Sequence, residues 1–170
     1  MSRTHWTLNW AERPTEEAAL FNPAFCGELI SRSATEYQRL RASSFPFAMA
    51  FVVLPLTLHA ATRAALPGRS DTTFATWAAE RGAMLAELPK RVLMLRPVTR
   101  EALLFLTQHG ALAVDAQGLS AGPHPLKLSS RKVVTSLDTN DARRAASLVG
   151  RWFAGQGSAA FVLQSLGIRP

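Results

Sequence analysis

The chain is poor in several things that would each open a line of function. It has one cysteine, Cys26, so no internal disulfide can form and nothing points to an oxidising compartment. Its longest apolar run, residues 45–58, falls short of the ~20 residues that span a bilayer and is interrupted by Pro46 and Pro55. It reads as buried core, and residues 1–10 lack the apolar stretch of a signal peptide. The expectation is a cytoplasmic protein with no membrane contact. The histidines His5, His59, His109 and His124 are scattered, none at a zinc-type spacing, and there is no P-loop. No metal or other cofactor is expected.

Acidic residues are scarce in one region. Residues 123–170 hold seven basic and two acidic side chains, whereas residues 1–122 hold twelve and ten. Of the formal charge of +7, +5 therefore sits in residues 123–170 and only +2 in the rest. Such a surface meets phosphate, an acidic protein face or only water.

What is present is nearly half apolar, 48% of 170 residues, enough for one domain over residues 1–170 with a core that needs no staple. The punctuation is helical. Pro14 through Glu17 opens a short helical turn, and Asn22-Pro23 is a cap followed by proline at the first helical position, with Phe25, Leu29, Ile30, Tyr37 and Leu40 recurring to about Arg41. Ser44-Phe45-Pro46 starts a second apolar helix that Pro55 should end or kink, and a further helix runs from Leu58 to Leu66. Thr73 caps a helix carrying Phe74, Trp77, Met84, Leu85 and Leu88 up to Pro89. Thr99 caps another, Arg100 to His109, closed by Gly110. Alternation over 111–115, a turn at 116–118 and a return strand from Leu119 predict a hairpin. Asp138 starts the last long helix, with Val149, Trp152 and Phe153 inward and Arg143, Arg144, Ser147 and Arg151 outward, and Ser158 starts a final one that Gly167 closes. The fold class is mainly α, a compact helical domain with one small β-hairpin.

Residues 73–128, as helix, segment, capped helix, glycine and hairpin, resemble a winged helix with 100–109 as reading helix and 112–128 as wing. Yet Leu103 through Leu106 make that helix richer in core than in groups that read bases. Gly155-Gln156-Gly157-Ser158-Ala159-Ala160 spells a dinucleotide fingerprint, but a helix rather than a strand precedes it, so it is a turn. Cys26 lies in a helix first turn, where a thiol can be activated, but between Phe25 and Leu29 it reads as a small core hydrophobe. Nothing in the chain spells an enzyme. The candidate binding residues are Trp6 and Trp10 for a protein partner, and Lys127, Arg131, Lys132, Arg143, Arg144 and Arg151 for nucleic acid or an acidic partner.

Several stretches carry a family resemblance: Trp10 to Glu17 running into Phe21-Asn22-Pro23-Ala24-Phe25-Cys26, Val53-Leu54-Pro55-Leu56 with Leu58-His59, Pro97 to Leu103, and Gly150 to Ala154. They resemble the middle component of prokaryotic three-component ABC systems. That resemblance implies a non-enzymatic adaptor between an SMC- or Rad50-like ABC ATPase and an effector, in antiviral or anti-plasmid defence. From the residues alone, a DNA-binding winged-helix regulator is the alternative, with non-specific contact to the DNA backbone the weaker form of it.

Overall fold

The computed structural model describes residues 12–13, 15–128 and 137–168. In chain order come α1 (Thr15–Leu20), α2 (Pro23–Arg41), α3 (Phe47–Thr57), α4 (Ala60–Ala64), α5 (Phe74–Ala79), α6 (Gly82–Gln108), β1 (Leu112–Asp115), β2 (Gly118–Ala121), α7 (Leu137–Gly155) and α8 (Ala159–Ser165). No helix among the described residues is long and apolar enough to cross a membrane.

Local chemistry sets most helix starts. The Asn22 side chain accepts from the amides of Ala24 (2.8 Å) and Phe25 (3.4 Å), Thr73 accepts from Thr76, and Ser158 accepts from Phe161. His59 caps α4, its Nδ1 accepting from the Thr62 amide at 3.2 Å. α3 is apolar all round, with Met49, Ala50, Val52, Val53, Leu54 and Leu56 fully buried, and it forms the centre of the core. Pro55 lies inside it, near its end. Arg63 donates to the closing carbonyls of Thr57 (2.6 Å) and Leu58 (3.2 Å), placing a cation where the helix dipole is negative.

α2 and α7 form the most extensive helix pair. Their residue numbers rise together, Glu28 meeting Arg143, Ser33 meeting Ala146 and Glu36 meeting Arg151, so the two helices are parallel. Contact is close because Gly150 has no side chain: a Cβ there would lie 2.2 Å from the Ser33 carbonyl oxygen. The Ser33 hydroxyl, fully buried, donates to the Ala146 carbonyl at 2.7 Å. Further along α7, Trp152 stacks on Phe74 of α5 with centroids 4.0 Å apart, and Trp77 meets it edge-on. The indole nitrogens are satisfied by Thr72 and Ala65 carbonyls.

Two expectations from the sequence are corrected. Helix breaks were expected at Pro89 and Thr99, but α6 runs through both Pro89 and Pro97. Each proline removes one amide hydrogen, yet Leu88, Val92, Val98, Ala102 and Leu106 on the inner side are buried, and this continuous packing outweighs the lost bonds. Pro97 lies on the exposed side. Thr99 is not a cap; it is fully buried within the helix. The separate reading helix over 100–109 is thus the last part of a 27-residue helix. The hairpin pairs Leu112 with Ala121 and Asp115 with Gly118, and the remainder of the expected wing, to Leu128, is irregular. It is also clamped: Phe45 and Leu119 exchange backbone hydrogen bonds (2.9 and 2.8 Å), and Gln38 donates to the Leu119 carbonyl. Gly118, at φ 133°, leaves no room for a Cβ against the Phe45 carbonyl. The second correction concerns Asp138, which lies within the first turn of α7 rather than before it.

The α2–α7 contact makes a direct prediction. Gly150→Ala should lower stability by about 2–3 kcal/mol, the upper range for forcing a methyl into a packed interface, whereas Gly155→Ala, whose added carbon meets nothing closer than 3.6 Å, should stay within about 0.5 kcal/mol. Urea unfolding of the two variants beside the native chain measures the contrast.

Candidate functional site

The residues singled out in the sequence are dispersed by the fold. Trp6, Trp10, Arg131 and Lys132 lie outside the described residues. Lys127 is exposed on the irregular segment after the hairpin. Of the three α7 arginines Arg144 is the most exposed, with 73% of its side chain accessible and Asp141 as its ion-pair partner, while Arg151 keeps 35%.

Arg143 and Arg151 were expected outward beside it; the structure turns Arg143 inward and leaves Arg151 partly exposed but paired. Arg143 is 16% accessible and grips Glu28 of α2 through Nε (2.8 Å) and Nη2 (2.9 Å), its guanidinium lying 5.6 Å from the Phe25 ring. Arg32 reaches the same carboxylate at 2.8 Å. Arg151 pairs with Glu36 at 3.3 Å, and Arg39 joins them at 2.8 Å. These cations are not a free basic stripe; they bind two helices together. The partners of Arg143 and Arg151 lie on α2, more than a hundred positions away in the chain, which no local period reveals. Burial alone would raise the carboxyls of Glu28 and Glu36, but hydrogen bonds from Arg143 and Arg32, and from Arg39 and Arg151, outweigh it and hold both below their ordinary range.

The possible chemical groups have structural employment. Cys26 is fully buried, and burial and the charge of Glu101 push its thiol up to about 12, which favours the thiol over the thiolate at neutral pH. His59 is held by Thr62, whose hydroxyl lies 2.7 Å from Nδ1 and also receives Arg91. Its pKa falls through burial and the neighbouring Arg91 and Arg63. His109 donates from Nδ1 to the Phe105 carbonyl at 2.8 Å. Among the described residues no group of three His, Cys, Asp or Glu side chains is placed to hold a metal ion. The Gly155-Gln156-Gly157 stretch links α7 to α8, as a turn between helices.

Two surfaces went unread in the sequence. One is an open cleft of about 410 Å³ between α4 and α7, walled by Ala64, Leu66, Pro67 and Leu148. Arg63 and Arg144 on its rim pair with Asp138 and Asp141, so its lining mixes apolar side chains with paired charges. The other is the outer face of α6, where Leu93, Met94 and Leu104 are 66%, 58% and 59% exposed. Leu104 was grouped with core residues because apolar side chains at helical spacing carry no mark of which side faces water.

The family model described as Middle Component 3 of the ABC-three component (ABC-3C) system matches residues 10–170. No curated protein and no solved structure matches the chain.

The ion pairs generate two expected outcomes. Arg143→Glu should cost about 2 kcal/mol, since it sets a second carboxylate against the largely buried Glu28, while Arg144→Glu should change stability by no more than about 0.5 kcal/mol; thermal melting of both variants decides. Glu28 and Glu36 have folded pKa values below the ordinary 4.5, so their contribution is complete above that pH and is lost as the pH falls through the depressed folded values. The urea midpoint should therefore drop on acidification below pH 4.5, and less steeply in a Glu28→Gln, Glu36→Gln double variant.

Proposed function

The chain belongs to the middle component 3 family of ABC-three component systems, and on that premise we propose that it is a non-enzymatic adaptor. In this reading it couples an SMC- or Rad50-like ABC ATPase to a separate effector in prokaryotic defence against phages or plasmids. The observation that carries the reading is the family match over residues 10–170, almost the whole chain. A middle component of a multi-component system has other components to meet. Two features support the adaptor role over chemistry: the Cys26 thiol and the His59 imidazole are tied into the fold, and a long apolar face on α6 is left open.

Co-expression of the tagged chain with the other two components of its system tests the proposal. Both should be retained through affinity capture and gel filtration at moderate salt. Retention of neither sinks the adaptor reading. A chain that alone prefers one duplex sequence over competitor DNA at moderate salt would transfer the function to a regulator.

A further inference from the structure

The exposed face of α6 has a defined chemical pattern. Leu93, Pro97, Arg100 and Leu104 recur at intervals of four, three and four, and so fall on one side of the helix, with Met94 beside them. Leu93 to Leu104 spans about 16 Å of helix axis at 1.5 Å per residue. Lys90, Arg96 and Arg100 interleave with these apolar groups; all three are exposed, and none pairs with an acidic side chain among the described residues. This differs from the α2–α7 seam, where Arg32, Arg39, Arg143 and Arg151 meet glutamates. Glu101 at the margin of the face is already taken by Arg13, at 2.9 and 3.2 Å.

We propose that this face of α6 docks an acidic amphipathic helix belonging to another component of the system, which deepens the adaptor reading and rests on it. Leucines and a methionine at the centre need an apolar stripe opposite them, and three uncompensated cations need carboxylates at its edges. Charge decides against the other occupants. A second copy of the chain would set Lys90, Arg96 and Arg100 against the same cations. The first eleven residues carry Arg3 and no acid. Duplex DNA would meet the cations but leave Leu93, Met94 and Leu104 against phosphate, where they contribute nothing.

The test uses the full chain assembled with the other two components, with the photoreactive residue benzoylphenylalanine placed at position 93 or 104 in turn. The expected cross-linked peptide comes from another component and bears Asp or Glu around apolar residues at helical spacing. Leu93→Glu with Leu104→Glu should weaken assembly by at least about tenfold with unchanged melting, because both positions are exposed. Arg96→Glu with Arg100→Glu should weaken it by about tenfold and flatten its salt dependence. Cross-links to residues 1–11 or to a second copy overturn the proposal. So does the case in which these variants lose binding to duplex DNA or to phosphatidylglycerol vesicles while protein assembly persists. Assembly unaffected by either pair of changes overturns the α6 face and leaves the adaptor standing, whereas failure of the native chain to assemble overturns both.

Discussion

At Gly150 the backbone of α7 lies against the Ser33 backbone of α2 with no space for even a methyl group, and the register of much of the molecule follows from that point. Once these helices touch there, Ser33 can reach the Ala146 carbonyl, and Glu28 and Glu36 fall opposite Arg143 and Arg151. The same alignment carries Trp152 and Phe153 to the side where α5 lays Phe74 and Trp77 against them. A small-residue contact permits close approach, the apolar faces supply most of the attraction, and the ion pairs select the register.

How much of this could be read from the sequence depended on how far each cause reaches along the chain. Caps act over three residues, so Asn22, Thr73 and Ser158 disclose their helices, and Gly110 with its positive φ closes α6 as expected. The hairpin is legible for the same reason, since Asp115 folds its own side chain back onto the amides of Gln117 and Gly118. Proline also signals locally, but its signal loses when distant packing is continuous, and at Pro89 and Pro97 the buried side of α6 prevailed. The candidate site was least legible. Arg143 and Arg151 have the right spacing for a solvated face, and only the three-dimensional position of Glu28 and Glu36 shows otherwise. Trp6, Trp10, Arg131 and Lys132 lie outside the described residues.

The basic residues thus divide by role. Arg32, Arg39, Arg143 and Arg151 neutralise Glu28 and Glu36 at the α2–α7 seam, and Arg63 closes the end of α3 and meets Asp138. Those along the outside of α6 have no such assignment among the described residues and stand beside exposed leucine and methionine. A net charge of +7 is therefore a poor guide to where this protein is attractive to an anion, because position and pairing decide it.

The parallel course of α2 and α7 also governs how the chain comes to be folded at all. Two parallel neighbours cannot be joined by a tight turn; the chain must leave Arg41, build every element from α3 through the hairpin, and return at Leu137. During synthesis on the ribosome, α2 leaves the exit tunnel long before its principal partner has been translated, with Leu29, Ile30, Ala34 and Tyr37 still lacking part of their final cover. Nascent chains that stop short of α7 lack the seam that closes the core, and would present those side chains to chaperones and proteases. Closure of the α2 seam therefore has to wait until α7 has been made.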